Sequence, residues 1–563
     1  MGLAGAGMAE IVGIGVSPGR AVGPVARMPD PMTEPPAQAS SSDGADVAAL
    51  ADQITAACGR VHDALSARAQ LARGEGRAIL EAAALMAVDP ALVEGARRRV
   101  SALVSPARAV WETAGEVAAR LTEVGEYVAE RARDVADVRD RIVAELSGLP
   151  APGLPQRSEP YVLIARDLAA ADAALLDPAT CVAVVTADGG PTSHTAILLR
   201  SVGIPAVVAA RGALALRDET VVAVDGSAGT LRTDPSETEF AAARAAPRRA
   251  RTFDGRGRTA DGHHVPLMAN VGDPGQVDIA VEAAAEGVGL FRTEFCFLGH
   301  RQPPTVDEQV AAYRAVLRAF PGRRVVVRTL DGGAEKPLPF LLQQTVPNPA
   351  LGIRGVRITA QSEQLLTDQL SAIAHAAKQE TAEVWVMAPM ISTADETADF
   401  VARCEAAGVE TAGVMVETPA AALSAIHILQ AARFASIGTN DLTQYTMAAD
   451  RGAGDLAELN DPWQPAVLRL VQLTCQAGTD GDRPVGVCGE AAADPALACV
   501  LVGLGASSLS MTARAIADVA IALRTVSVEE CVRLADVALT ARSARRARQA
   551  VRSALPALVE LGL

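Results

Sequence analysis

The stretch Val182-Ala-Val-Val-Thr-Ala-Asp-Gly-Gly-Pro-Thr-Ser-His-Thr-Ala-Ile197 contains the pattern of an α/β fold. Its β-branched, apolar first part predicts a buried strand, and the Gly-Gly pair predicts a turn. A helical pattern follows, with His194 in its expected first turn. Thr192 or Ser193 can cap the free backbone N–H groups at that point. The stretch therefore predicts a strand, a turn and a helix that begins with a histidine.

The position of His194 predicts its chemistry. Free N–H groups and the helix dipole favour an anion at a helix N-terminus, above all a phosphate. The same field disfavours a charged imidazolium, so the ring should remain neutral and nucleophilic at neutral pH. His194 is thus placed to accept a phosphoryl group. The alternative is a capping loop whose histidine only packs or contacts solvent.

The residues around this stretch extend the α/β pattern. We expect strands at 161–165, 182–186, 206–208 and 221–224 and helices at 170–176 and 194–202. Near the N-terminus, residues 10–27 contain glycines spaced G-x-G-x-x-x-G, which is not the dinucleotide-binding spacing, and Pro18 breaks the helix that such a motif needs. We interpret this segment as an edge hairpin.

A helical region lies between these two parts. Residues 28–44 are rich in Pro, Ser and Asp and are interpreted as a linker, whereas apolar residues in 45–148 recur at helical spacing. Gly74, Pro90 and Pro106 divide this region into four predicted helices, a small bundle. It contains no catalytic pattern, so packing or docking of another protein is its expected role.

From residue 262 onward, strand and helix patterns alternate eight times, which predicts a TIM barrel with insertions. The predicted strands are 265–271, 287–291, 324–330, 384–390, 413–417, 434–438, 484–488 and 506–511. Polar residues follow the apolar runs, and the carboxyl ends of barrel strands form the active site in this fold. These residues are Asn270, Arg292, Arg328, Glu417, Asn440, Asp441 and Cys488.

The side chains at these strand ends suit a phosphorylated, acidic small molecule. Glu417 and Asp441 are hard oxygen ligands, which Mg²⁺ prefers. Arg292, Arg328 and Arg451 offer planar forks for carboxylate or phosphate oxygens. A metal with several arginines describes a site where charge neutralisation and positioning promote phosphoryl transfer.

Three further residues are candidates at the same edge. Arg354 and Lys336 are second-tier contacts for the substrate. The thiol of Cys488, which ends a strand beside glycines, can act as a proton donor. The alternative for Cys488 is a buried, small hydrophobic side chain, the usual role of a lone cysteine.

Composition excludes several classes of protein. The chain has 563 residues and a net charge of −15, which argues against nucleic acid or an anionic membrane as the main partner. No apolar run is long enough to span a membrane, and no secretory signal precedes the first strand. The eight cysteines are scattered singly, so we expect free thiols in a reducing compartment.

Several motifs together are specific. They are Gly189-Gly-x-Thr-Ser-His-Thr195, Gly289-Leu-Phe-Arg-Thr-Glu-Phe295, Arg328-Thr-Leu-Asp331, Gly438-Thr-Asn-Asp-Leu-Thr-Gln-Tyr-Thr446 with Asp450-Arg451, and Cys488-Gly-Glu490. With these motifs the chain resembles the enzyme I family of the bacterial phosphoenolpyruvate:sugar phosphotransferase system, across residues 9–560.

The resemblance implies a multidomain α/β fold. A swivelling phosphohistidine α/β domain would comprise residues 9–27 and 150–235, with an inserted helical bundle at 40–149 that docks the phosphocarrier protein HPr. A linker at 236–261 would lead to a C-terminal TIM (β/α)8 barrel at 262–563, which binds phosphoenolpyruvate and forms a homodimer. The expected location is the cytoplasm.

The resemblance also implies roles for the candidate residues. His194 would take the phosphoryl group of phosphoenolpyruvate with Mg²⁺ and pass it to HPr, releasing pyruvate, as the first general step of sugar uptake. Cys488 would protonate the enolate carbon. Glu417 and Asp441 would hold the metal. The implied substrate-binding residues are Arg292, Arg328, Asn440, Asp441 and Arg451.

Two positions depart from the family pattern: Pro191, where many members have arginine and where the change should be tolerable, and Ala173. A threonine hydroxyl that helps to hold the active imidazole would fall at Ala173. We hypothesise that another group orients His194, or that the ring is less well fixed before phosphorylation. Ala173→Thr should then change the rate of autophosphorylation or the pKa of the imidazole. Measured values that match the unaltered protein would contradict this hypothesis.

Two alternative functions are considered. A pyruvate phosphate dikinase or phosphoenolpyruvate synthase needs a large nucleotide-grasping domain, yet the 193 residues before His194 contain no lysine and no phosphate-binding glycine loop. A regulatory protein that senses phosphoenolpyruvate without turnover would be expected to lack Cys488 or Glu417. Both features favour the phosphotransferase.

Overall fold

The computed structural model consists of two compact units, residues 1–245 and 246–563. It describes residues 10–29, 32–36, 46–71, 75–101, 104–124, 126–150, 152–155, 157–189, 196, 199–200, 202–237, 240, 252–273, 275–298, 300–333, 338, 340–341, 348–451 and 456–561. Among these residues, no helix is both long enough and apolar enough to cross a membrane.

The first unit contains an eight-stranded mixed sheet. Its strands are β1 (Glu10–Val12), β2 (Ile14–Ser17), β3 (Arg20–Arg27), β4 (Tyr161–Ala165), β5 (Cys181–Thr186), β6 (Ala206–Val208), β7 (Val221–Asp225) and β8 (Thr230–Thr233). Their order is β1-β8-β7-β3-β4-β5-β6-β2, with β3 to β6 parallel. The four strands predicted around His194 are confirmed, whereas β8 was not predicted.

The described residues of the helical region form five helices. They are α1 (Val47–Leu71), α2 (Glu75–Ala87), α3 (Pro90–Arg99), α4 (Pro106–Val124) and α5 (Glu126–Ser147). The prediction of four was wrong because the residues after Pro106 form two helices that pack against each other. Gly125, which separates them in the sequence, was the available signal.

A buried ion pair joins the bundle to the sheet domain. Arg141 of α5 contacts Asp172 of the short helix α6 (Ala170–Ala173) at 2.8 Å, and it also pairs with Asp137 on its own helix. Both Arg141 and Asp172 are buried. The pair therefore connects the two parts, and removal of either partner by mutation would leave an uncompensated buried charge.

The predicted edge hairpin at residues 10–27 is wrong. The strands β1 and β2 lie at opposite ends of the strand order, and β3 lies between β7 and β4. Close backbone approach explains the glycines here. A Cβ atom at Gly15 would lie 2.1 Å from the carbonyl oxygen of Gly226. A side chain at this position therefore cannot be accommodated without moving a backbone segment.

Gly15→Ala should destabilise the first unit. Overpacking against backbone costs about 1–3 kcal/mol, so we expect faster amide hydrogen exchange in β2 and β6. Gly59→Ala is the control, since a Cβ there meets no atom within 4 Å in the middle of α1. It should raise the free energy of unfolding by about 0.5–1 kcal/mol. Equal exchange in the two variants would contradict the packing argument.

The second unit is a closed barrel of eight parallel strands, which confirms the predicted TIM barrel. The strands are β9 (Leu267–Val271), β10 (Val288–Arg292), β11 (Arg324–Arg328), β12 (Glu383–Ala388), β13 (Ala412–Val416), β14 (Ala435–Ile437), β15 (Val485–Val487) and β16 (Ser508–Met511). Their apolar, β-branched residues suit strands covered on both faces.

Helices cover the barrel. They are α7 (Gly275–Glu282), α8 (Val306–Leu317), α9 (Glu363–Ala377), α10 (Ala394–Ala407), α11 (Pro419–Leu423), α12 (Ala425–Ala431), α13 (Thr439–Met447), α14 (Pro465–Asp480), α15 (Pro495–Gly503), α16 (Ile516–Leu523), α17 (Val528–Thr540), α18 (Ala544–Ser553) and α19 (Pro556–Glu560). Thr305, Thr393 and Ser527 begin α8, α10 and α17 with complete capping boxes.

The end of the predicted linker belongs to the barrel unit. The backbone N–H of Ala260 donates to the carbonyl of Val526 at 2.8 Å, and that of Gly257 donates to Glu286 Oε1 at 2.8 Å. Residues 252–261, which the family resemblance placed in the linker at 236–261, therefore pack on the barrel. Composition alone did not reveal these contacts, because they join residues distant in the sequence.

Candidate active site

Two predicted arginines end neighbouring strands of the barrel. Arg292 ends β10 and Arg328 ends β11, and the two are paired in register across the parallel strands. Arg328 is buried and contacts Glu294 at 2.6 Å and Asp331 at 3.3 Å. Burial lowers the pKa of Arg328, but these carboxylates and Glu417 raise it further, so the guanidinium stays charged.

Arg292 differs from its neighbour. Its side chain is exposed, and it makes no ion pair with any residue that the structure describes. An exposed guanidinium without an acidic partner remains available to an anion that approaches the strand ends. The pair thus combines one arginine fixed by carboxylates with one open to ligand.

Two predicted metal ligands lie beside Arg328. Glu417, after β13, is fully buried, and its Oε1 accepts a hydrogen bond from the backbone N–H of Met390 at 2.6 Å. Burial first, and then the nearby charges of Asp441 and Asp331, raise the pKa of Glu417 above its usual range. These carboxylates therefore repel one another in the absence of a further cation.

Arg354 holds two of these carboxylates. Its guanidinium contacts Asp331 at 2.9 Å and Asp441 at 3.0 Å, and it is almost fully buried. Arg451 lies farther away, with Nη1 3.7 Å from Asp441 Oδ2. The second-tier residue Arg354 is thus more tightly built into the site than Arg451.

The donor set fits Mg²⁺. Within the part of the chain that the structure describes, no three histidine, cysteine or acidic side chains are arranged to hold a metal ion. Mg²⁺ commonly binds through one or two carboxylates, with waters and substrate phosphate completing its shell. Glu417 and Asp441 meet that requirement, and a divalent cation between them would relieve the repulsion that raises the pKa of Glu417.

Two amide side chains organise the end of β15. Asn270 Nδ2 donates to the carbonyl of Cys488 at 3.0 Å, and Asn270 Oδ1 accepts from the hydroxyl of Ser510. Asn440 Oδ1 accepts from the backbone N–H of Glu490 at 3.0 Å. Both predicted residues therefore lie at the same edge of the barrel and hold the segment that contains Cys488.

Cys488 is buried in a cluster with apolar side chains from five other strands or their ends. Its thiol donates to the carbonyl oxygen of Ile437 at 3.5 Å. Burial is the main reason that the pKa of the thiol rises to about 11. Cys488 therefore keeps its proton at neutral pH, as a general acid must, although an inert buried thiol would also do so.

Comparison with known proteins identifies the family. Three models of PEP-utilising enzymes match the chain. The N-terminal model matches residues 12–131, the mobile-domain model residues 157–229 and the PEP-binding-domain model residues 248–528. The chain is 49% identical over 549 residues to a phosphoenolpyruvate-protein phosphotransferase of Streptomyces coelicolor, covering 96% of this chain and 98% of that one. The chain belongs to the phosphoenolpyruvate-protein phosphotransferase family.

Other members and relatives support this phosphotransferase assignment. A phosphoenolpyruvate-protein phosphotransferase of Haloferax volcanii is 39% identical, covering 94% of this chain and 96% of that one. A multiphosphoryl transfer protein of Xanthomonas campestris pv. campestris is 39% identical over 96% of this chain and 66% of its own length. The family predicted from the sequence motifs is confirmed, and with it a phosphotransferase enzyme.

Two predicted site residues of this phosphotransferase lie outside the described residues. They are His194 and Lys336. His194 falls within the region matched by the mobile-domain model. Ala173, the position of the missing threonine, is fully buried and follows Asp172, whose carboxylate pairs with Arg141.

Sequence reasoning missed two acidic residues at the strand ends. Glu294 Oε1 accepts hydrogen bonds from Arg328 at 2.6 Å and from the backbone N–H of Asp331 at 3.0 Å. Asp331 contacts both Arg328 and Arg354. Each lies two or three residues beyond a strand-ending arginine, and that spacing was the available signal.

Proposed function

We propose that this member of the family transfers the phosphoryl group of phosphoenolpyruvate to its own His194 with Mg²⁺, and then to the carrier HPr, releasing pyruvate. The observation that supports this most is the pairing of Arg292 and Arg328 in register beside Glu417 and a buried, protonated Cys488. Arginine forks, carboxylates and a proton donor are what an enol phosphate with a carboxylate group requires.

The proposed roles follow from these surroundings. Arg292, Arg328 and Arg451 neutralise the substrate carboxylate and phosphate, and Asn440 and Asp441 contribute polar contacts. Glu417 and Asp441 would hold Mg²⁺, which supplies charge neutralisation on the phosphoryl oxygens.

The reaction needs a proton donor for the carbon atom that becomes the methyl group of pyruvate. As the phosphoryl group leaves for His194, an enolate remains, and the thiol of Cys488 gives its proton to the enolate carbon to form the methyl group of pyruvate. Solvent then reprotonates the thiolate. The raised pKa of Cys488 supports this role because the thiol is protonated when the substrate arrives.

The finer assignments are also proposals. We propose that residues 40–149 dock HPr, that residues 9–27 and 150–235 form the swivelling phosphohistidine domain, and that the barrel at 262–563 forms a homodimer. The name of the Xanthomonas relative, a multiphosphoryl transfer protein, supports a carrier partner. All eight cysteines are free, which supports the proposal that the protein acts in a reducing compartment such as the cytoplasm.

Labelling tests the proposal directly. The protein should be incubated with [³²P]phosphoenolpyruvate and Mg²⁺, and we expect stoichiometric, acid-labile, base-stable label with equimolar pyruvate. His194→Ala should remove the label. Absence of label on the unaltered protein would overturn the proposal. Binding of phosphoenolpyruvate without label or pyruvate would favour the sensor alternative instead.

A further inference from the structure

A buried polar network lies beneath the two arginines. It consists of Gln309 and Tyr313 of α8, Gln369 of α9 and Thr293, which follows Arg292. All four side chains are essentially inaccessible to solvent. Buried polar groups remain in a core at a cost unless their hydrogen bonds are satisfied, so their contacts show what the network holds.

Gln369 is the centre of this network. Its Oε1 accepts a hydrogen bond from the backbone N–H of Leu330 at 2.9 Å. Its Nε2 donates to Thr293 Oγ1 at 3.0 Å and to the hydroxyl of Tyr313 at 3.1 Å. All the functional atoms of the amide are therefore engaged. Glutamine meets this demand because it carries one acceptor and a two-hydrogen donor on the same planar group.

The network connects the ends of two strands. The hydroxyl of Thr293 donates in turn to the carbonyl oxygen of Arg328 at 2.9 Å. Thr293 is thus linked to the segment after β11 in two ways, directly through the carbonyl of Arg328 and through the amide of Gln369 to the N–H of Leu330. The link is independent of the guanidinium contacts, since it engages only backbone atoms and neutral side chains.

Such a link is needed at this position. Arg292 and Arg328 are in-register neighbours with like charge, an arrangement that is unfavourable between strands. Carboxylates hold the guanidinium of Arg328, whereas Arg292 makes no ion pair with any described residue. The direction of Arg292 is therefore set mainly by its backbone, and Gln369 holds that backbone through Thr293.

We propose that Gln369 is a positioning residue that fixes the spacing of Arg292 and Arg328 for the carboxylate and phosphate of the substrate. This inference rests on the proposed function of the site. Gln369 contacts neither substrate nor metal in this assignment. It acts through Thr293 and Leu330, and a small displacement of such groups is sufficient to weaken binding strongly.

Steady-state kinetics of pyruvate release, measured with excess HPr as the phosphoryl acceptor so that the enzyme turns over, test the inference. Gln369→Leu and Thr293→Val should each raise the KM for phosphoenolpyruvate about ten- to a hundredfold and change kcat by less than about threefold. The effects of the two substitutions should be less than additive in the double variant, because both remove the hydrogen bond between Gln369 and Thr293. Thr293→Val keeps the side-chain shape, so it remains informative even if Gln369→Leu folds poorly.

Gln309→Leu is the matched control. Gln309 is equally buried in the same network, but it contacts the carbonyl of Pro304 and the hydroxyl of Tyr313 and no strand end. It should lower the Tm about as much as Gln369→Leu while leaving KM within about twofold of the unaltered protein.

The outcomes separate the two proposals. An unaltered protein that forms no pyruvate overturns the proposed function, and this inference with it. An active protein in which Gln369→Leu leaves KM unchanged overturns the positioning role alone. The same conclusion follows if Gln309→Leu raises KM equally, or if the effects of Gln369→Leu and Thr293→Val are additive.

Discussion

Cys488→Ala is expected to lower the rate of pyruvate formation by about 10²–10⁴-fold while the affinity for phosphoenolpyruvate changes little. The enolate left after phosphoryl transfer needs a proton at carbon, and the buried thiol with a pKa of about 11 holds one at neutral pH. Alanine fills the same cavity nearly as well but has no proton to give. Pyruvate release and calorimetric titration with phosphoenolpyruvate and Mg²⁺ measure the two quantities.

Cys475→Ala provides the control for this experiment. Cys475 lies on α14, is as deeply buried as Cys488, and belongs to the main core outside the strand-end cluster. Its replacement should cost stability without slowing pyruvate release. A Cys488→Ala variant that forms pyruvate within about threefold of the normal rate would show that another group supplies the proton.

Arg354→Met should destabilise the barrel by about 3–5 kcal/mol. The guanidinium contacts Asp331 and Asp441, and its charge also offsets the repulsion felt by Glu417. Methionine fills the space but leaves buried carboxylates facing each other. Urea unfolding followed by the fluorescence of Trp385 and Trp463, both in the barrel unit, measures the loss.

The loss should depend on pH with a definite sign. The charge of Arg354 lowers the pKa of Glu417, so without Arg354 that pKa in the folded state rises further above its unfolded value. Protonation then favours the folded state as pH falls, so the deficit should be smaller at pH 6 than at pH 8. Arg357→Met, which removes a partly exposed arginine 3.7 Å from Glu396, should cost less than about 1 kcal/mol at either pH. Equal losses in the two variants would contradict the argument.

The sequence predicted the barrel and the polar residues that lie at one edge of it. Parallel strands covered on both faces give continuous apolar runs, and the polar residue that ends each run must lie at one edge of the barrel. Arg292, Arg328, Glu417 and Cys488 were found in this way. Their placement at the strand ends is as predicted, because it depends on the spacing within each strand and on no distant contact, whereas their roles in catalysis stay a prediction.

The remaining features depend on contacts between distant residues. Gln369 lies in a helix, far in sequence from Thr293. Along that helix it falls on the face where any core residue would lie, so its position in the sequence does not reveal its role. The central place of β3 depends on pairing with strands more than a hundred residues away. Glu294 and Asp331 were within reach of the spacing argument, but acidic residues beside arginines are common on protein surfaces. These features depend on which residues meet in three dimensions, and a local sequence pattern does not give that information.

The ion pair between Arg141 and Asp172 has a mechanical consequence for a shuttling histidine. The pair ties α5 to the short helix α6 that contains Ala173, and it thereby links the bundle to the sheet domain within the first unit. Under the proposed mechanism, a movement of His194 between the donor and the acceptor would therefore move the helical bundle as well. A carrier protein docked on that bundle would stay close to the histidine during the movement, and the linker would have to accommodate both.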